Sequence, residues 1–161
     1  MTADLWDRTG VPVPVELPTV EDTEALGRRL AGMLQAGDLL VLTGPLGAGK
    51  TALVRGLGAG LGVSGRVTSP TFVLARQHRG PLPLLHVDAY RLRDAAATSG
   101  RPVTLDDLDL EEALTDGVAA VEWGEGLVEG LVDAWLEVRL ERADDDLRTA
   151  RVRPVGARWG V

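Results

Sequence analysis

A glycine-rich loop between an apolar run and a helical pattern constrains the fold of this chain more than any other feature. The segment is LLVLTGPLGAGKTALVRGLGAGLG, residues 39–62. The continuous apolar run at its start is typical of a strand that is buried on both faces of a parallel sheet, and a helical pattern begins at Thr51. A strand that enters a helix through a short glycine loop predicts an α/β domain.

The loop itself, residues 44–51, matches the pattern G-x-x-x-x-G-K-[ST] of phosphate-binding loops. Glycines let the backbone wrap its N–H groups around a phosphate chain in front of a helix N-terminus. Lys50 is the only lysine among 17 basic residues, which indicates that a compact ammonium is needed here. Thr51 offers a hydroxyl to Mg²⁺. The flanking strand and helix argue against the alternative, a glycine-rich turn with a solvated lysine.

The remaining pattern predicts one domain over residues 1–161, α/β in class, a P-loop NTPase-like three-layer domain with a mostly parallel central sheet and a C-terminal hairpin. A helix is predicted to begin after Thr19 and to end near Gly37. The other predicted elements are an edge strand at 11–17, strands at 72–76, 84–90 and 118–123, an acidic helix at 104–114, and hairpin strands at 134–141 and 149–155. We expect disorder in about the first 10 residues, in loop 94–102 and in about the last 8 residues.

Composition excludes several classes of protein. Hydrophobic residues make up 45 % and charged residues 25 %, as in an ordinary globular domain, and the net charge of −7 argues against binding nucleic acid through bulk electrostatics. The absence of cysteine excludes disulfides and thiolate metal sites. The first residues lack the pattern of a signal peptide, and no apolar run is long enough to span a membrane, so the sequence predicts a cytoplasmic protein.

Two acids that follow predicted buried strands are candidates for binding a metal ion. Asp88 ends LLHVD and Glu122 ends VAAVE. Both should lie beside the phosphate loop, because the carboxyl ends of parallel strands meet at one edge of a sheet. The alternative for each is an acid that caps the next element. His86 is predicted to be structural, and the turn that contains Ser69 and Thr71 is either an ordinary turn or a loop that senses the γ-phosphate.

Four motifs, GPLGAGKT, VTSPTF, HVDAYRL and VEWGE, occur in this order. Together they resemble the TsaE family of ATPases, which bacteria require for the threonylcarbamoyl modification of tRNA adenosine next to the anticodon. The resemblance covers roughly residues 17–142. It implies a slow, partner-dependent ATP hydrolase that uses Mg²⁺ and acts with TsaD and TsaB homologues. It also implies that the protein contacts tRNA only indirectly and does not act at a membrane.

The resemblance assigns a role to each residue that matches a motif. Lys50, Asp88 and Glu122 are the expected catalytic residues, and Thr51, Asp88 and Glu122 would serve Mg²⁺. One departure is Pro45, where the family usually has an acid; we expect ATP binding to survive it. The residues implied in ATP binding are Leu46, Gly47, Ala48, Gly49, Lys50, Thr51, Ser69, Thr71 and Trp123.

Two other functions remain compatible with a phosphate loop. A small-molecule kinase would need an acceptor pocket and a lid, for which only loop 94–102 with Arg93 and Arg101 is available. A nucleotide-binding scaffold would bind ATP without hydrolysing it. The sequence does not indicate which residues contact adenine. Nor does it identify an arginine that stabilises the transferred phosphate, although Arg55 and Arg91 are near the motifs.

Overall fold

The computed structural model describes residues 5–65, 67, 75–89, 110–123 and 131–161. Chain order gives β1, α1, β2, α2, β3, β4, α3, β5, β6, β7 and a C-terminal 3₁₀ helix. The bounds of the strands are Val15–Leu17 (β1), Leu39–Thr43 (β2), Ala75–His78 (β3), Leu84–Asp88 (β4), Val118–Glu122 (β5), Trp135–Arg142 (β6) and Arg148–Val155 (β7). The bounds of the helices are Val20–Ala31 (α1), Lys50–Leu61 (α2), Leu110–Asp116 (α3) and Ala157–Trp159 (3₁₀).

The strands form a 7-stranded sheet in the order β1-β7-β6-β2-β5-β4-β3. Strands β6, β2, β5 and β4 run parallel to one another at its centre. Strands β1, β7 and β3 extend the sheet by antiparallel pairs, and β6 and β7 form the hairpin. The predicted α/β class, with a parallel centre and a C-terminal hairpin, is confirmed.

Helices pack on both faces of the sheet at β2. Successive residues of this strand point to opposite faces, and every one of its side chains is buried. Leu40 and Leu42 pack in the cluster that also contains side chains of α1 and α2. Leu39 and Val41 pack in a second cluster with α3. The domain therefore has three layers. Helix α2, which follows the phosphate loop, packs on the face of the sheet that carries Leu40 and Leu42.

Helix α1 begins where the sequence predicts and ends earlier. Thr19 is the N-cap, and its hydroxyl accepts from the backbone of Asp22, whose carboxylate accepts from the backbone of Thr19. The helix ends at Ala31, with Gly32 as its C-cap. Gly37 does have a positive φ of 96°, but it lies in the loop before β2, so the prediction that it ends the helix is wrong.

The described residues near the two ends of the chain pack against the domain. Leu5 and Trp6 are buried, and the Trp6 ring meets the edge of Trp159 at a centroid distance of 6.3 Å. Arg158 donates to the Asp38 carboxylate at 3.1 Å and to the backbone oxygen of Met33 at 3.0 Å. The two indoles contribute a large apolar area to this contact. Loop 94–102 lies outside the described residues.

His78, the last residue of β3, is buried, and its Nε2 has no hydrogen-bond partner within the described part of the chain. Burial, together with the nearby His86 and Arg76, lowers the pKa of His78 below its ordinary 6.5. The neutral ring is therefore the form that the folded state favours.

Acidification is expected to destabilise the fold through His78. Below about pH 6.5 the unfolded chain binds a proton here that the folded chain binds only at lower pH, so stability falls by up to about 1.4 kcal/mol per pH unit. The variant His78→Leu lacks this proton. Urea unfolding of both proteins between about pH 7.5 and pH 5 should show wild type losing more stability than the variant. Equal losses would contradict the prediction.

Within the described ranges, no helix is both long and apolar enough to cross a membrane.

Candidate functional site

The phosphate loop connects β2 to α2 in a conformation that only glycine adopts without strain at its ends. Gly44 has φ 142° and Gly49 has φ 106°. A Cβ on Gly44 would also lie 2.4 Å from the backbone oxygen of Leu140. The N-cap of α2 is Gly49, which has no side chain to accept from the first N–H groups of the helix. A loop of this shape in front of a 12-residue helix suits a phosphate group.

Lys50 is buried at the centre of this loop. Its Nζ donates to the backbone oxygens of Gly44 at 2.6 Å and Pro45 at 3.0 Å. The same atom lies 4.3 Å from the centroid of the Trp123 ring, a cation–π contact. Trp123 adopts φ 61°, which is uncommon for a residue other than glycine and strains the backbone directly after β5. The structure thus brings the predicted residues Lys50 and Trp123 together.

The two candidate acids lie side by side. Asp88 and Glu122 are the last residues of β4 and β5, and their Cα atoms are register partners in the parallel pair. Leu84 and Ala120, which precede them by even numbers of residues, pack in the same cluster as Leu53 of α2. By strand alternation both acids therefore face the layer that contains α2.

Other loop residues differ in exposure. Ala48 is fully buried, Thr51 is partly exposed, Gly47 is exposed, and Leu46 is 90 % exposed. Any contact that Leu46 makes with a phosphate would therefore come from its backbone N–H. Arg55 pairs with Glu24 of α1 at 2.9 Å and so ties the two helices together. Ser69, Thr71 and Arg91 lie outside the described residues.

The donor set fits Mg²⁺ better than a metal that needs a closed protein cage. Within the described ranges, no group of three or more His, Cys, Asp or Glu side chains could hold a metal ion. Two carboxylates and the Thr51 hydroxyl at the helix N-terminus are nevertheless hard oxygen ligands. Mg²⁺ commonly takes one or two carboxylates and completes its shell with phosphate oxygens and water. Thr51, Asp88 and Glu122 are the residues that could hold it.

The structure adds a contact to Glu122 that sequence reasoning missed. His86 is fully buried, and its Nε2 lies 2.6 Å from Glu122 Oε2. Strand alternation predicted a structural histidine, but alternation along one strand does not identify partners on the next. The register of β4 against β5 was the missing information.

Two arginines of the β6–β7 hairpin also reach the phosphate loop. Arg148 Nη2 donates to the Gly47 backbone oxygen at 3.2 Å. Arg142 ends β6, and its Nη1 would lie 3.5 Å from a Cβ on Gly47. Arg142 also hydrogen-bonds Asp146, which lowers the pKa of that carboxyl. No local pattern could have revealed these residues, because Arg148 and Gly47 are 101 positions apart.

Comparison with known proteins gives a consistent result. Residues 17–151 match the model of the family described as "Threonylcarbamoyl adenosine biosynthesis protein TsaE". The chain is 55 % identical over 144 residues to the Streptomyces coelicolor "tRNA threonylcarbamoyladenosine biosynthesis protein TsaE", a match that covers 84 % of this chain and 93 % of the relative. The Bacillus subtilis protein of the same name is 38 % identical over 141 residues, covering 86 % and 84 %.

A solved structure resembles the whole fold. The crystal structure of YdiB from Bacillus subtilis superimposes with a TM-score of 0.72 at 32 % sequence identity. The superposition covers 91 % of this chain and 88 % of that one. The likeness therefore extends beyond the phosphate loop to nearly all of the chain.

Proposed function

The chain belongs to the TsaE family of tRNA threonylcarbamoyladenosine biosynthesis proteins, and we propose that it binds ATP with Mg²⁺ and hydrolyses the ATP in support of that modification. The observation that carries the proposal is the juxtaposition of Lys50, in a phosphate loop, with register-paired acids at the ends of β4 and β5. Phosphate loops and strand-end acids together are the parts that ATP hydrolysis requires.

The residues divide the work by position. Backbone N–H groups of residues 46–51 and the Lys50 ammonium bind the β- and γ-phosphates. Thr51 and Glu122 would hold the metal, which when bound would neutralise charge on the phosphate oxygens. Asp88 would orient the water shell of the metal or the attacking water. The protein thus supplies position and charge rather than covalent chemistry.

The hairpin arginines lie on the other side of the phosphate loop from the acids. Strand β6 borders β2 on one side, and β5 borders it on the other. A nucleotide whose γ-phosphate points toward Glu122 and Asp88 would extend its nucleoside end toward Arg142 and Arg148. A guanidinium there can bind the α-phosphate or stack on adenine.

Slow hydrolysis by the isolated protein and acceleration by TsaD and TsaB homologues complete the proposal. The family resemblance supports these partners, and the net charge of −7 supports only indirect contact with tRNA. A groove of about 300 Å³ is lined by residues of β2, β6 and β7, among them Thr43, Arg139 and Arg151. Its lining includes three arginines, and it is partly open to solvent, which gives little support to an enclosed acceptor pocket of a small-molecule kinase among the described residues.

The decisive experiment is phosphate release from ATP, with and without TsaD and TsaB homologues, by wild type and by Glu122→Gln. We expect slow release by wild type alone, faster release with partners, and a loss of about 100-fold in the variant, because an oriented carboxylate becomes a neutral amide. Binding of ATP in the absence of metal should survive the substitution. The exposed Glu16→Gln is the matched control and should behave as wild type.

Three results would lead away from this function. Transfer of phosphate to an acceptor in place of release would favour the small-molecule kinase. No release even with partners present would favour a scaffold that binds ATP without hydrolysis. Full activity of Glu122→Gln would remove the assigned role of that carboxylate.

A further inference from the structure

A buried pair, His86 and Glu122, lies between the sheet and the layer of α2. The Glu122 side chain is 7 % exposed and the His86 side chain 0 %. Nε2 and Oε2 are 2.6 Å apart, a short distance for a nitrogen–oxygen hydrogen bond. An ionised carboxylate can only accept, so His86 Nε2 donates to Glu122 Oε2.

The strand register explains why this pair forms. His86 lies opposite Ala120 on β5, and Asp88 lies opposite Glu122. His86 is therefore the diagonal neighbour of Glu122 on the same face, within reach of a long side chain. The small methyl group of Ala120 opposite His86 leaves space for the carboxylate to approach the ring.

The contact is important because a buried glutamate needs a partner. Burying a carboxylate without a hydrogen bond is costly, and a glutamate loses much rotamer freedom when it is fixed in one conformation. Among the described residues, His86 is the side chain that hydrogen-bonds the Glu122 carboxylate. The other ring nitrogen of His86, Nδ1, is buried without a partner among the same residues, so the Nε2 bond is the polar contact that orients this ring there.

We propose that His86 is a positioning residue: by binding Oε2 it fixes the Glu122 carboxylate so that Oε1 is available to the Mg²⁺ that accompanies ATP. The inference rests on the proposed function, since it needs Glu122 to be a metal ligand. It extends that function to a residue that touches neither metal nor nucleotide. Hydrogen-bonded partners of metal ligands typically change metal affinity 10- to 100-fold when they are removed.

The test compares ATP binding in EDTA with ATP binding across a Mg²⁺ titration, by calorimetry on the full chain. His86→Leu should raise the Mg²⁺ concentration for half-maximal effect about tenfold while leaving ATP affinity in EDTA within about twofold. His86→Gln, whose amide can donate from near the Nε2 position, should restore most of the Mg²⁺ response. The matched control is His78→Leu, which removes the other buried histidine of the same sheet edge and should change neither quantity.

Each result separates the inference from its rivals. An unchanged Mg²⁺ response in His86→Leu overturns the positioning role. An equal loss of affinity in EDTA and in Mg²⁺ shows that His86 serves only the fold.

If His86→Leu does not fold, the comparison of His86→Gln with His86→Asn decides, because asparagine donates from near Nδ1 and should not restore the response. If wild type binds ATP but shows no Mg²⁺ response, the inference fails while nucleotide binding stands; if wild type binds no ATP, the proposed function itself fails.

Discussion

Replacement of Lys50 by alanine is expected to weaken ATP binding at least about 100-fold and to leave no measurable hydrolysis. The ammonium makes charge-assisted hydrogen bonds, each worth about 1.5–3 kcal/mol, and two of them correspond to that loss of affinity. Its Nζ already lies at the centre of the loop, bonded to the Gly44 and Pro45 oxygens. A phosphate group would take over these bonds. Equilibrium binding of ATP and release of phosphate measure the effect.

The sharper variant is Lys50→Arg, which keeps the charge. We expect Lys50→Arg to weaken ATP binding nearly as much as Lys50→Ala does. A planar guanidinium does not fit inside the loop, where Nζ lies 4.3 Å from the centroid of the Trp123 ring. Arg28→Ala, an exposed change on α1 that also removes one positive charge, is the control for net charge. Normal binding by Lys50→Arg would contradict the geometric argument. As Lys50 is the only lysine, an amine-directed reagent modifies one side chain, and ATP should protect it.

Replacement of Gly56 by alanine is expected to cost about 2–3 kcal/mol of folding stability, in the upper part of the range for overpacked cores, and to lower the melting temperature by several degrees. A Cβ on Gly56 would lie 1.9 Å from the backbone oxygen of Glu24, and one on Gly27 would lie 2.2 Å from that of Leu53. Both contacts are to backbone, so helices α1 and α2 must separate. The alanine gains about 1 kcal/mol of helix propensity, which does not offset the clash.

Replacement of Gly32 by alanine should instead increase folding stability. Gly32 caps α1 with φ −65°, and a Cβ there would meet only the Arg29 backbone oxygen at 3.5 Å. Alanine fits this conformation and restricts the unfolded chain, so Gly32→Ala should stabilise the protein by about 0.4–1 kcal/mol. Chemical unfolding of the two variants beside wild type tests both. Equal effects at positions 32 and 56 would mean that close packing of the helices does not explain the glycines of α2.

The fold class could be predicted because its signals are local. A buried apolar run, a glycine loop and a helical pattern follow one another within 39–62. The C-terminal hairpin alternates along two neighbouring segments, and β6 and β7 pair as the pattern predicts. The packing at the ends of the chain could not be predicted in this way. Trp6 and Trp159 are far apart in sequence, and the fold brings their ring centroids to 6.3 Å.

Some residues of the candidate site could be predicted from the sequence, and others could not. Lys50, Thr51, Asp88 and Glu122 are recognisable in sequence, because a phosphate loop and a strand-end acid each have a local signature. His86 and Arg148 required the tertiary structure. Their contacts depend on which strands are neighbours and on the register between them. Neither property can be predicted from the sequence of a single strand.

Residue types and their local patterns thus establish the chemistry available to this protein: one ammonium in a glycine loop, a hydroxyl beside it and acids after buried strands. How these groups are constrained depends on the fold. It aligns Asp88 with Glu122, brings His86 to within 2.6 Å of the Glu122 carboxylate and closes the β6–β7 hairpin on the loop. The reason is physical: residue type sets which bonds a side chain can make, whereas strand register and helix packing set the partners that it meets.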